Sequence, residues 1–177
     1  MPSMKFREVA VYTDTTFRVP QGIQRIDHLS THGWQLRYGG TKFFADTSAD
    51  DDGARASLAA AQAELVTRIA ELPAPTSLQA APSANKTSAL PPGISGPVVY
   101  RRKGAKVLTS TLSVLVPRFG QSPKRRTIYI GSENTYTEQR YRMALCKALA
   151  IRSEAEEAYR VAATRAKREQ GRALKVK

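Results

Sequence analysis

Between Gly22 and Ala45 apolar and polar residues alternate in three short runs, each bounded by turn-forming residues. Gly22-Ile23-Gln24-Arg25-Ile26, Trp34-Gln35-Leu36-Arg37-Tyr38 and Thr41-Lys42-Phe43-Phe44-Ala45 read as strands. Asp27 to Gly33 reads as a polar turn, and Gly39-Gly40 as a tight one. Upstream, Phe6 to Tyr12 fits a short strand, and Pro20 and Gly22 punctuate the chain. Downstream, Leu58, Ala61, Leu65, Ile69 and Leu72 recur at helical spacing and predict a helix from about Ala54 to Leu72. Asp50, Asp51 and Asp52 stand just before it, where the helix dipole favours negative charge.

The same order returns further along. Pro97 to Arg102 reads as a strand, Gly104 allows a turn, and the β-branched run Leu108 to Val116 is the plainest strand pattern in the chain. Pro117 to Pro123 reads as a longer hairpin loop, Arg126 to Ile130 as a third strand, and Thr135 with Glu138 has capping-box spacing. A helix with Tyr141, Ala144, Leu145, Ala148 and Leu149 on one face follows. The expected fold class is α+β: two small units, each a three-stranded antiparallel sheet packed on one C-terminal helix. The units span residues 1–72 and 97–159. Residues 73–96, rich in Pro, Ala and Ser, read as a flexible linker because they show no apolar period. Residues 160–177 read as a basic helical extension or a disordered tail.

Charge changes the picture more than composition does. The chain of 177 residues carries a formal net charge of +13. Met1 to Leu72 is near neutral, with 8 Lys/Arg against 9 Asp/Glu; Pro97 to Lys177 holds 19 against 6. The basic excess therefore lies on the second half, as expected for a surface that meets phosphates through counterion release. In the second sheet, alternation sets Leu112, Val114 and Val116 on one side and Thr111, Ser113 and Leu115 on the other. The side away from the helix is then expected to show Ser113, Thr127 and Tyr129. Arg101, Arg102, Lys103, Lys106, Arg118, Lys124, Arg125 and Arg126 are expected to flank it. Strands carrying such residues fit a major groove, with Arg suited to guanine edges and phosphates. The first sheet offers Arg25, Trp34, Gln35, Arg37, Tyr38 and Lys42, although Trp34 fits a core equally well.

Three strands, a Gly-Ile or Gly-Pro-Val start with Arg soon after, a Trp on the second strand and an alanine-rich helix together resemble the Apetala-two/ethylene-response-factor type of DNA-binding domain, which is related to integrase arm-type modules. The stretches that carry the resemblance are Gly22-Ile23-Gln24-Arg25, Gly33-Trp34-Gln35-Leu36-Arg37, Lys42-Phe43-Phe44 and Ser57 to Ala61. In the second unit they are Val99 to Arg102, Leu112 to Val116 and Thr127 to Gly131. The resemblance implies two divergent copies whose sheets enter the major groove. It implies DNA contacts by Arg25, Trp34 and Arg37 in the first copy and by Arg101, Arg102 and Arg126 in the second. The second copy has no Trp and a longer loop before its third strand, and the first lacks the usual basic density.

Other chemistry is thin. His28 and His32 lack the further ligands a zinc site needs and read as turn residues. Asp50 to Asp52 lack the spacing of a calcium loop. Cys146, the one cysteine, reads as a partly buried helix residue and allows no intramolecular disulfide, which suits a reducing cytoplasm. No phosphate-binding glycine loop, nucleophile elbow, membrane span or signal-peptide core stands out. No catalytic residue, metal or other cofactor is therefore expected. The reading is a non-enzymatic, cytoplasmic, nucleoid-associated protein of bacterial or phage type that binds double-stranded DNA as a transcriptional regulator or architectural factor. An RNA-binding or ribosome-associated factor is one alternative. An adaptor is another, its first unit contacting itself or another protein.

Overall fold

The computed structural model describes residues 4–175. Met1 to Ser3, and the last two residues of the expected basic tail, lie outside them. The fold is α+β, with three antiparallel sheets and two long helices. The chain separates into two compact units: residues up to Pro75 together with those from Ala163 onward, and Thr76–Ala162.

In the first unit, β1 (Phe6–Ala10) and β2 (Thr16–Pro20) form a hairpin, and β3 (Ile23–His28), β4 (Thr31–Arg37) and β5 (Thr41–Ala45) form a three-stranded sheet in sequence order. Strand β2 was not anticipated, because Pro20 reads as punctuation. Yet Phe17, Val19 and Pro20 are buried while Thr16 and Arg18 are exposed, so the strand does alternate. The expected polar turn over Asp27 to Gly33 shrinks to Leu29 and Ser30. Polar residues stay in the ladder because they satisfy one another across it: Asp27 faces His32 and accepts from His32 and Arg25. Helix α1 (Asp51–Glu71) starts three residues earlier than expected. Asp50 caps it, accepting from the Gly53 amide at 2.8 Å, and Asp51 and Asp52 lie in its first turn, where the dipole favours acids. Its apolar stripe, Leu58, Ala61, Leu65 and Ile69, packs with Ile23, Trp34 and Leu36.

In the second unit, β6 (Ile94–Arg101), β7 (Leu108–Arg118) and β8 (Gln121–Ser132) form a sheet with β7 in the centre. The expected seven-residue hairpin loop is only Phe119 and Gly120; Gly120 takes a positive φ, and pairing runs on through Arg118 and Gln121. Helix α2 (Glu138–Lys175) is capped by Thr137, whose hydroxyl accepts from the Arg140 amide at 3.2 Å. Thr135, the expected cap, instead accepts from the Ser132 amide at 2.9 Å. Leu112, Val114, Ile128 and Ile130 pack against Ala144 and Ala148 of α2, with Tyr141 and Leu145 partly buried beside them. Leu149 is exposed rather than on the core face, and so is Cys146.

Two segments depart from expectation more deeply. From Thr76 onward the presumed linker belongs to the second unit. Leu90 is buried in that unit's core, and the Lys86 ammonium donates to the carbonyls of Pro91 and, at 2.7 Å, Ile94. The presumed tail is helical to Lys175, and from Ala163 it belongs to the first unit. Ala163 is buried, Leu174 packs on the first core, and Gly171 lies so close to Ile69 that a Cβ would stand 2.7 Å from its Cγ2. The first unit is thus more than a three-stranded sheet on one helix. No helix among the described residues is long and apolar enough to cross a membrane.

Candidate nucleic-acid interface

The first sheet does not present the expected set. Trp34 is 0% exposed, and its indole nitrogen donates to the Ala54 carbonyl at 2.9 Å, so it is a core residue that ties β4 to α1. Arg25 faces the same side. It lies between the rings of Trp34 and Tyr12 and forms ion pairs with Asp46 at 2.6 Å and Asp27 at 2.7 Å, its side chain 5% exposed. Burial alone would lower the Arg25 pKa, but the hydrogen bonds it donates to both carboxylates outweigh this and raise it. For Asp27, burial pulls upward, while Arg25 and His32 outweigh it and hold the carboxyl below its usual range. A guanidinium so buried, and bound to two carboxylates, is not presented to DNA. Lys42 pairs with Glu64 at 3.3 Å and lies over the Phe44 ring. Tyr38 is buried, and burial raises its hydroxyl pKa. Of the first-unit candidates, Gln35 and Arg37 remain on the face away from α1, with the Arg37 guanidinium donating to Gln35.

In the second sheet, register decides which cations share a face, because directly opposed residues of an antiparallel pair project to the same side. Leu112 faces Ile128, and this pair points into the core; Ser113 faces Thr127, and Thr111 faces Tyr129, on the opposite side. Ser113, Thr127 and Tyr129 therefore lie on the free face as expected. Leu115 faces Arg125, which puts Arg125 there too. Val114 faces Arg126 and Val116 faces Lys124, which turns Arg126 and Lys124 toward the helix side, a correction to the expectation. Arg126 lines a groove of about 810 Å³ between β8 and α2, together with Arg140 and Lys147, two cations the strand pattern did not single out.

The remaining cations do not converge. Arg101, Arg102, Lys103 and Lys106 cluster, exposed, at the β6–β7 turn, where Gly104 has φ +79. Arg118 lies at the far end of β7 and donates to the Ser122 carbonyl at 2.9 Å. A strand of eleven residues spans about 35 Å, so the two groups are separated by nearly the length of the sheet. Among the described residues, none of the cations from Arg101 to Arg126 takes part in an ion pair with an Asp or Glu.

Tyr100, Tyr129 and Phe119 are the aromatic residues that the sequence offers for stacking on RNA bases, and the first two lie on the free face. Tyr100 faces Thr109 and is 37% exposed; Tyr129 faces Thr111 and is 52% exposed. The two tyrosines stand on either side of β7, on strands about 10 Å apart, and are offset by two residues along it. Phe119, by contrast, is in edge contact with Tyr159, with 5.5 Å between centroids. Among the described residues no group of three or more His, Cys, Asp or Glu could hold a metal ion. Comparison of the chain with family models, with curated proteins and with solved structures found no match.

Proposed function

We propose that the second unit binds double-stranded DNA through the free face of its sheet, as part of a transcriptional regulator or architectural factor. One observation carries the reading. Arg125, Thr127, Tyr129 and Ser113 share a solvent-facing sheet surface, and the eight cations that border the sheet have no carboxylate partners among the described residues. Unpaired Arg and Lys release counterions from phosphates, and Arg and hydroxyl side chains on strands read base edges in the major groove. The order of three strands and a helix is in keeping with two divergent Apetala-two-like copies. On this reading the first has lost its DNA face to an internal ion-pair network and serves self-association or a protein partner. The cations at the two ends of β7 would then touch phosphates on separate turns of the backbone and not one groove floor.

The test is a salt series of duplex-DNA affinity with the full chain, beside a charge-reversed variant at Arg101, Arg102, Arg125 and Arg126. The reading requires a steep negative salt slope that the variant largely loses while its melting temperature holds. Unchanged affinity in that variant sinks the surface. The Tyr100 and Tyr129 pair favours a second reading, single-stranded RNA, because exposed rings on a sheet stack on bases. Competition between duplex DNA and single-stranded RNA separates the two.

A further inference from the structure

The stretch from Gln79 to Pro92 has the composition of a linker, yet it lies against the free face of the second sheet. Together with the start of β6 it lines a groove of about 610 Å³ whose floor includes Ser113, Leu115 and Arg125. The stretch is held there at three points. Leu90 is buried in the core, Lys86 donates to two backbone carbonyls, and the Leu115 amide donates to Gly93 at 2.7 Å. Two charged residues line the groove, Lys86 and Arg125, and both are cationic; Ser83, Asn85 and Ser88 supply neutral donors from the arm. No Asp or Glu is among the lining residues.

We infer that this arm is a working wall of the DNA site, and that the groove between it and β7 takes one sugar-phosphate strand of the duplex. This rests on the DNA reading above. A groove that pairs hydroxyl and amide donors with two cations and excludes carboxylates matches phosphate oxygens, which accept from such groups without regard to base sequence. The arm therefore adds affinity and orients the duplex, while Tyr129 and Thr127 further along the face meet the bases. Because Lys86 is tied to the arm's own backbone, its charge is held over the groove without the entropy loss of ordering a free lysine on binding.

The experiment places two carboxylates on the arm, Ser83→Asp with Asn85→Asp, at exposed positions outside the core. The control adds the same charge on exposed helix positions, Ala150→Glu with Ala158→Glu. Duplex affinity of the full chain is measured at about 0.1 M salt, with thermal melting to confirm the fold. The arm variant is expected to bind about tenfold more weakly than wild type, from like-charge repulsion at two phosphate contacts. The control is expected to stay within about twofold, because neither of its positions lines the groove. If wild type binds with a steep salt slope and the arm variant matches the control, the arm is no part of the site and only this inference falls. If wild type shows no salt-dependent duplex binding, the DNA reading falls and the arm's role with it.

Discussion

The indole nitrogen of Trp34 donates to the carbonyl oxygen of Ala54 across 2.9 Å, in the centre of the first core. Ala54 lies in the first turn of α1, so this bond fixes the helix start against β4. Trp34→Phe removes the donor that ties β4 to the helix and opens space in the core. It is expected to cost about 2–4 kcal/mol of first-unit stability. Duplex affinity under native conditions is expected to be unchanged, because the ring is out of solvent's reach. Chemical denaturation and a binding isotherm on the same sample check both halves of the statement.

Arg25 and Asp46 form a buried pair, with side chains 5% and 4% exposed, and Asp46 also accepts from Ser57 at 2.6 Å. Asp46→Ala leaves part of a buried guanidinium without a partner, while the Ser57 hydroxyl keeps the Gly53 and Ala54 carbonyls. A loss of about 3 kcal/mol is expected, moderated by the remaining Asp27 contact. A denaturant midpoint within error of wild type would show that the pair adds nothing to the fold.

Acid should loosen the first unit. Hydrogen bonds from Ser48 and the Gly53 amide lower the Asp50 pKa, and those from Thr13 and Thr15 lower that of Asp51. Arg68 and Lys42 do the same for Glu64, while Arg25 and His32 outweigh burial at Asp27. Each depressed group contributes stability that is fully present above its unfolded pKa, near 4, and is lost as pH falls through the lower folded value. Melting temperature is therefore expected to be flat from about pH 7 to 5 and to fall below about pH 4. Asp50→Asn, which keeps a capping oxygen but not the charge, is expected to blunt that fall.

Gly93 has φ +75, and a Cβ there would stand 2.6 Å from the Arg152 guanidinium carbon. Arg152 cannot easily yield. It is buried, bonds to Glu156 at 2.6 Å and donates to the Leu115 carbonyl. Gly93→Ala combines left-handed backbone strain with this clash and is expected to destabilise the second unit by about 2–4 kcal/mol. Thermal melting checks it.

Tyr129 and Tyr100 separate the two nucleic-acid readings. If duplex DNA is the ligand, Tyr129→Ala is expected to lower affinity by less than about tenfold, and Arg125→Ala to reduce the salt slope by about 1. If single-stranded RNA is the ligand, each tyrosine substitution is expected to cost about tenfold or more in RNA affinity, from lost stacking.

Much of the fold was legible in the order of residues. Alternation located β5 to the residue, β3, β4, β7 and the centre of β8 closely, and the stripe of α1 correctly, because a period of two or of 3.6 is set by local backbone geometry. The charge asymmetry was equally plain, since it is a property of composition. Tertiary structure alone decided which cations share a face. Alternation alone sends Arg125 and Arg126 to opposite faces, but register, a long-range pairing, sets Arg125 beside Leu115 on the face away from the core and Arg126 beside the buried Val114. It also decided that Arg25 and Trp34 turn inward. A buried guanidinium is tolerated only beside Asp27 and Asp46, and Asp46 lies 21 residues away, on a contact that no local pattern encodes. The presumed linker and tail misled for the same reason. Without apolar period of their own, they are ordered by a few anchors, Leu90 and Gly93 in one and Gly171 and Leu174 in the other, whose partners are supplied by distant parts of the chain.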